Sequence, residues 1–548
     1  MAVPLARRKL LGTVASAAVL LAALAAPVPA GGGEQLVYEE GRLLARLVIA
    51  EPAGPAADLV ERTLNDYLGE QFGWKLPRVE RAEAPGLYLV AGRDPGHPVL
   101  GELAGQGVDL GTAGLGDEGF RIVTHAAGDR RFVVVVAVTA AGLKYGCQEL
   151  VFFHLPATSR RAAVDWPIRA LRRPQFAYRG VYMLPCWAQH DTIASWRRVL
   201  RFSSEITVNR NWFWLNGFPL LAEYGGQYAG TDLSNVQNVK DLIELCRGEQ
   251  MKFYVGGGWF TWHHEKIAQG SIDRGVRYYL DVVRLLPGAE GIYLEPAGEG
   301  SEVRESVWRS RTDAFERLAK TIGKDRPEFE FAVAIGKFNN PGYRQAMHAI
   351  DQKRLYWWWC WGDPIRQNAL GEHPLVLRWH TNVRMSDYHG STEPPEPREA
   401  ALTGLATSYD PGQGFGNPWN GYATLGGTSR ARDVHPHTLP YFAQQYWFRE
   451  RCWDLNLTEE EFGRRLARRV FDADLPPEAI THYLTLCGLC GKPKEAGEEV
   501  LKPIEAFLRA HADRGTPRNR DTLARMREAL EGLRQSQTPA KKPAGSKT

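Results

Sequence analysis

The chain has 548 residues, of which 44% are hydrophobic and 24% are charged, and this balance predicts a globular protein of two or three domains. A formal net charge of only +4, part of it in the basic residues 7–9, argues against nucleic acid as a partner. Seventeen Trp and twenty Tyr are a marked excess. Aromatic faces stack on the C–H faces of sugar rings, so this excess favours carbohydrate as a ligand.

Residues 1–30 are predicted to be an export signal. Arg7, Arg8 and Lys9 precede an apolar run to about Ala26, and small residues and prolines follow to Ala30. The arginine pair resembles a twin-arginine signal, although the ordinary secretory route stays open. No later apolar run is long enough to cross a bilayer. We therefore expect a periplasmic or secreted protein without stable membrane insertion after signal removal.

Short strands and helices alternate over residues 34–170, which predicts an N-terminal α/β domain. The predicted helices are Ala56–Leu68 and Ala140–Leu155. A linker rich in Arg and Pro follows at Pro167–Pro174. The predicted strands are Gln35–Tyr38, Leu47–Ala50, Leu87–Val90, Gly119–Thr124 and Phe132–Val138.

Residues 175–455 show a regular alternation of strands and helices, which predicts a (β/α)₈ TIM-type barrel. Helical patterns such as Ile193–Glu205, Val239–Gln250 and Tyr343–Ile350 lie between the strands. The predicted strands are Tyr178–Leu184, Val208–Leu215, Phe253–Gly257, Gly291–Glu295, Phe329–Ile335, Leu355–Trp361 and Leu375–Trp379, with an eighth near Gly414–Tyr422.

Residues 456–533 are predicted to form a helical C-terminal region, and residues 534–548 a disordered tail. The region opens on a capping box, with Thr458 three residues before Glu461. Seven cysteines show no zinc-type spacing. The pair Cys487 and Cys490 is interpreted as structural, with a disulfide or a redox motif as the alternatives. No cofactor is predicted.

The stretch Gly291–Gly300 carries the clearest chemical signal. A strand ends there in Glu295, with Glu299 four residues further on. Barrel enzymes place their chemistry just beyond the carboxyl ends of the strands, and a pair of carboxyl groups is what glycosidic bond cleavage requires. The alternative is that both side chains cap the next helix or face water.

Other predicted strand ends collect aromatic, amide and charged residues, the mixture that binds polyhydroxylated ligands. His263 and His264 are weak metal candidates because adjacent residues in a loop point apart, so no metal site is predicted. The predicted sugar-binding residues are Arg179, Trp212, Trp259, Trp359, Arg378, His380, Asn417 and Trp419.

Three segments resemble known carbohydrate-active enzymes. Gly291–Gly300 resembles the fourth-strand motif of the family 67 α-glucuronidases, and Tyr446–Phe462 resembles their segment after the barrel. Arg179-Gly180 resembles the opening of the first barrel strand in the family 20 β-hexosaminidases, whose N-terminal domain is also similar. This resemblance implies an α/β domain, a barrel and a helical region, with Glu299 as general acid and Arg179 in contact with the sugar.

The resemblance has departures at the other catalytic positions. Asp363 stands in for one carboxylate that activates water in the α-glucuronidases. The second aligns with Leu377-Arg378-Trp379, where no carboxylate exists. Glu295 is a further candidate for base or nucleophile. Arg179 and Arg378 suit an acidic sugar because a guanidinium pairs with a carboxylate through two parallel bonds.

Three functions therefore stay open. An exported, α-glucuronidase-like glycoside hydrolase, retaining or inverting, is the leading hypothesis. A carbohydrate-binding protein on a hydrolase scaffold that has lost its base is the main rival. A lyase or metal-dependent enzyme that uses His263 or His264 is the third.

Overall fold

The computed structural model describes residues 35–183, 192–215, 218, 220–224, 229–258, 272–295, 305–335, 355–359, 375–378, 402–409, 439, 441–490 and 495–537. It divides into two compact units. One unit joins the residues up to Pro174 with those from Trp453 onward, and the other is Gln175–Cys452. The predicted signal segment, residues 1–30, lies outside the described residues.

The amino-terminal part of the first unit contains two sheets and three helices. A small sheet has the strand order β2-β1-β7, and a larger one has the order β3-β4-β6-β5-β8. The elements are β1 (Gln35–Glu39), β2 (Arg42–Leu43), β3 (Ala45–Ala50), α1 (Pro55–Phe72), β4 (Gly86–Gly92), α2 (Pro98–Gly105), β5 (Phe120–Ala127), β6 (Arg130–Ala137), α3 (Ala140–Phe153), β7 (Arg161–Val164) and β8 (Arg169–Arg172).

Local sequence explains where these helices begin and end. Helix α1 starts at Pro55, whose fixed φ suits the first turn, and Gly73 caps its C-terminal end. Gly73 has a φ of 78° and its N–H donates to the carbonyl of Gly69, a left-handed cap that a residue with a side chain adopts at a cost. Helix α3 is capped by the hydroxyl of Thr139, which accepts from the N–H of Gly142 at 3.2 Å.

The core of the larger sheet is built from β-branched and aromatic residues. Strands β3, β4 and β6 run parallel to one another, and nearly all of their side chains are buried. Near-continuous apolar runs are typical of strands covered on both faces. Buried members of this core are Val48, Tyr88, Val90, Phe132, Val134 and Val136.

The second unit is a closed barrel of eight strands, each parallel to its two neighbours, in the order β9 to β16. The strands are β9 (Tyr178–Met183), β10 (Arg210–Trp214), β11 (Lys252–Gly258), β12 (Gly291–Glu295), β13 (Glu330–Ile335), β14 (Leu355–Trp359), β15 (Leu375–Arg378) and β16 (Leu402–Tyr409).

Helices follow the first four barrel strands and close the unit. They are α4 (Ile193–Glu205), α5 (Val236–Gly248), α6 (Ile272–Leu285), α7 (Glu305–Asp325) and α8 (Tyr441–Trp453). The segments between β13 and β16 lie outside the described residues, including the predicted helix Tyr343–Ile350. Asparagine and threonine caps begin two helices: Asn235 accepts from the N–H of Gln237 at 2.9 Å, and Thr192 from that of Ser195 at 3.3 Å.

The eighth strand differs from the prediction. It is Leu402–Tyr409, not a segment near Gly414–Tyr422, which lies outside the described residues. Its sequence, Leu-Thr-Gly-Leu-Ala-Thr-Ser-Tyr, mixes two Thr and one Tyr with Gly, Ala and Ser, so strand propensity is weak there. Small residues are required because a Cβ at Gly404 would overlap Tyr178 of β9.

Four helices complete the first unit after the barrel: α9 (Glu459–Val470), α10 (Glu478–Cys490), α11 (Glu498–Ala510) and α12 (Pro517–Gln537). The predicted cap of α9 is observed, since the hydroxyl of Thr458 accepts from the N–H of Glu461 at 3.2 Å. Among the described helices, none is long and apolar enough to cross a membrane.

Candidate active site at the carboxyl end of the barrel

The carboxyl ends of the eight strands meet at one end of the barrel because all eight are parallel. Three residues that the sequence assigned to the site end their strands there: Glu295 in β12, Trp359 in β14 and Arg378 in β15. The parallel topology therefore brings these three residues to the same end of the barrel.

Glu295 is paired in register with Gly258, the last residue of β11. The neighbouring strand carries no side chain over Gly256-Gly-Gly258. A Cβ at Gly256 would overlap the carbonyl oxygen of Tyr293, so glycine is needed for the two strands to approach this closely. The strand that ends in Glu295 thus lies beside a strand whose last three residues are glycines.

An aromatic layer fills the barrel just below this rim. The rings of Tyr182 and Tyr293 lie 5.3 Å apart, and those of Tyr182 and Trp214 lie 6.0 Å apart. Tyr182 is in β9 and Tyr293 is in β12, which are not neighbours, so their rings meet across the barrel interior. All three side chains are buried.

Arg179 has a structural position, which corrects its assignment to sugar binding. It is the second residue of β9, near the amino end of the strand, and it is fully buried. Its Nε donates to the carbonyl of Thr207 at 2.7 Å and its Nη1 to that of Phe176 at 2.8 Å. Two of its guanidinium nitrogens therefore donate to backbone carbonyls near the amino end of the strand.

Trp212 is also a core residue and not a platform for sugar. It lies in the middle of β10 with no exposed surface, and its ring occupies the space that a side chain at Gly180 would need. Its ring is 6.2 Å from that of Tyr254. The absent side chain at Gly180 makes room for the indole inside the barrel.

The remaining predicted site residues lie outside the described residues: Glu299, Asp363, Trp259, His380, Asn417 and Trp419. The weak metal candidates His263 and His264 also lie outside them. Within the described part of the chain, no group of three His, Cys, Asp or Glu residues could hold a metal ion. The described cysteines, Cys487 and Cys490 among them, are buried, and none of these described residues forms a disulfide.

Sequence reasoning missed an ionic cluster at the opposite, amino-terminal end of the barrel. Glu330 accepts hydrogen bonds from Nε of Arg210 at 3.1 Å, from Lys252 and from the Tyr254 hydroxyl. Arg210, Lys252 and Glu330 are each the first residue of a barrel strand. A charged residue at the first position of several strands was the sequence signal for this cluster. The sequence-based assignment of site residues considered only the carboxyl ends of the strands.

Solved structures with a similar fold come from glycoside hydrolase families. The GH20 β-N-acetylhexosaminidase from Streptomyces coelicolor A3(2) superposes with a TM-score of 0.56 at 14% identity, over 84% of this chain and 95% of that chain. A mutant Streptomyces plicatus β-hexosaminidase in complex with the product GlcNAc gives a TM-score of 0.55 at 14% identity, over 83% and 93%. The fold is GH20-like.

A GH138 enzyme targeting pectin rhamnogalacturonan II is similar as well, with a TM-score of 0.54 at 13% identity. The similarity covers 82% of this chain but only 56% of that one. No protein-family model matches the sequence, and no curated protein matches it. At identities this low, the similarity establishes the fold alone.

Proposed function

We propose that this chain is a glycoside hydrolase whose chemistry takes place at the carboxyl end of the barrel. The observation that carries the proposal is the position of Glu295, at the end of β12 on the rim of a closed parallel barrel. The GH20-like fold supports it, since that fold houses glycosidic bond cleavage in the enzymes it resembles. We also infer that helices complete the (β/α)₈ arrangement between β13 and β16.

Within this proposal, Glu299 is the general acid that protonates the leaving oxygen. Asp363 acts as base or nucleophile from the opposite side of the sugar, with Glu295 as the second candidate. Separation of the two carboxyl groups determines the outcome: about 5 Å for retention and about 6.5–9.5 Å for inversion. In this proposal an apolar setting raises the pKa of Glu299 and keeps the acid protonated.

Two sugar classes compete for this site. Arg378 at the end of β15 favours a uronic acid, through a bidentate pair with the sugar carboxylate, as the α-glucuronidase resemblance implies. The fold similarity favours an N-acetylhexosamine, the class of sugar bound in the structures of GH20 enzymes. With the export signal predicted from residues 1–30, we propose an extracellular or periplasmic polysaccharide fragment as the substrate.

The second candidate function is a carbohydrate-binding protein without turnover. Arg378 favours it, because the resemblance to α-glucuronidases places a carboxylate where this chain ends β15 in arginine. A barrel of this kind keeps its fold and its ligand affinity after the loss of one catalytic group.

The test is sugar release from a panel of uronic-acid and N-acetylhexosamine glycosides, with wild type beside Arg378→Ala. We expect turnover on one class. If that class is the uronides, Arg378→Ala should raise KM by about tenfold or more, as expected for the loss of a charged hydrogen-bonded pair. Turnover on neither class, combined with measurable affinity for one, would replace the hydrolase proposal with the binding protein.

A further inference from the structure

A polar cavity of about 360 Å³ opens at the amino-terminal end of the barrel, opposite the candidate active site. Three carboxylates and two cations line it: Glu290, Glu328, Glu330, Lys252 and Arg326. The two carboxylates nearest the barrel axis have different environments, and that difference carries the inference.

Glu330 is held by partners from two other strands. It accepts from Arg210 of β10, and from Lys252 and Tyr254 of β11, although β12 lies between these strands and its own. Gly291 of β12 leaves the gap through which it reaches, since a Cβ there would overlap the Tyr254 ring. Burial raises the pKa of Glu330, but Arg210 and Lys252 outweigh burial and hold that pKa below its ordinary value of 4.5.

Glu290 lies just before β12 and lines the same cavity as Lys252, the one cation among the described residues that acts on both carboxylates. Its Oε2 is buried and has no hydrogen-bond partner among the described residues. Burial raises its pKa above the ordinary 4.5, and the charge of Glu330 adds to this, against the attraction of Lys252 and of Arg247 in α5. Arg326, which follows α7, is the remaining cation close to Glu290.

We propose that this end of the barrel is a pH-sensitive lock, in which Glu290 and Glu330 compete for Lys252 and protonation of Glu290 tightens the barrel. With Glu290 charged, Lys252 is shared between two carboxylates that repel each other. When Glu290 takes up a proton from solvent, Glu330 is the one charged carboxylate left for Lys252 and Arg210 in this cluster. The ionic contacts that join β10, β11 and β13 are then strongest.

The direction of the pH effect follows from proton linkage. Glu290 has a raised pKa in the folded protein, so its stabilising contribution is complete below 4.5 and is lost as pH rises through that folded pKa. Glu330 has a lowered pKa, so its contribution is present above 4.5 and is lost as pH falls through its folded pKa. The lock is therefore tightest between the two folded pKa values, where Glu290 is protonated and Glu330 is charged.

Hydrogen exchange of the full-length protein, measured by mass spectrometry at about pH 5 and about pH 7.5 and corrected for intrinsic rates, tests the lock. In wild type, peptides covering β11, β12 and β13 should exchange several-fold more slowly at the lower pH. Glu290→Gln keeps the shape of the side chain but cannot ionise, so its exchange should be equally slow at both. Glu328→Gln is the matched control, because it removes an exposed carboxylate from the same cavity; it should keep the wild-type difference.

Two results would overturn the proposal. One is a wild-type protein whose barrel peptides exchange equally at both pH values. The other is a Glu290→Gln variant that keeps the full pH difference, which would assign the effect to another group.

Discussion

At the scale of single residues, a buried arginine fixes the entry to the second barrel strand. The Arg179 guanidinium donates to the carbonyl of Thr207, whose φ is 60°, a left-handed conformation that is costly for a β-branched residue. The N–H of Arg179 in turn donates to Oδ1 of Asn209 at 2.9 Å. Arg179 thus holds a strained turn in place where the chain passes from α4 into β10.

Replacing Arg179 by methionine should lower the free energy of unfolding by about 3 kcal/mol, because buried carbonyls of Phe176 and Thr207 lose their donors. Denaturant unfolding followed by circular dichroism measures the loss. Since the side chain is fully buried near the amino end of its strand, KM for any sugar substrate should not change. A large rise in KM at normal stability would return Arg179 to the sugar-binding site.

The sequence predicted functional Arg and Trp residues in the barrel strands. It did not predict whether each side chain lies toward the amino end or the carboxyl end of the barrel. Arg179 and Glu295 illustrate the difference. Glu295 ends its strand, so parallel topology places it on the rim. Arg179 comes near the start of its strand, and its side chain turns toward carbonyls that no sequence pattern marks.

At the scale of elements, glycines inside barrel strands determine which side chains can meet. Gly180 admits the ring of Trp212, and Gly404 admits Tyr178. Gly291 admits the Tyr254 ring and lets Glu330 reach over β12. Glycine usually weakens a strand, so its recurrence at these positions reflects close approach of neighbouring side chains and backbone.

Gly291→Ala should therefore destabilise the protein by about 1–3 kcal/mol, the usual cost of overpacking a filled core. Its Cβ would overlap the Tyr254 ring and would lie 2.9 Å from the carbonyl oxygen of Glu330. Gly488→Ala is the matched control, because nothing lies within 4 Å of its added Cβ in helix α10. That control should stabilise by up to about 1 kcal/mol. Thermal unfolding of the two variants should shift in opposite directions, and equal shifts would contradict the packing argument.

Helices were predictable because their signals are local. The sequence predicts Ile193–Glu205, and α4 has those bounds; it also predicts the cap that Thr458 gives α9. The eighth strand was missed because its small residues satisfy the closure of the barrel onto β9, a long-range requirement. Strand propensity reports side-chain packing, and no partner is visible in a single segment.

At the scale of the whole molecule, the C-terminal helices belong with the amino-terminal sheets. The sequence treats residues 456–533 as a separate region, but the structure places them in one compact unit with the residues up to Pro174. Glu149 of α3 links the two parts. Nη1 of Arg172 donates to both of its carboxylate oxygens at 2.9 Å, and Arg465 of α9 makes a bidentate pair with it at 2.9–3.0 Å. Contacts this distant in sequence leave no local pattern.

Glu149→Gln should lower the free energy of unfolding by about 3–5 kcal/mol, because it leaves two partly buried guanidinium groups without their shared counter-charge. Glu102→Gln in the same unit serves as control, since the Glu102 carboxylate is exposed where that of Glu149 is buried, and its pair with Arg130 should be worth less than about 1 kcal/mol. Urea unfolding compares them. Equal losses would mean that Glu149 does not join the helices to the sheets.

The proposed function rests most directly on Glu299 as the general acid. We would measure kcat of Glu299→Gln on the best glycoside of the panel, beside Glu328→Gln, the same substitution at the amino-terminal end. We expect kcat to fall by about 100-fold or more for Glu299→Gln, which is the contribution of a general acid, and to stay near the wild-type value for Glu328→Gln. An active wild type whose turnover survives Glu299→Gln would contradict the proposed function.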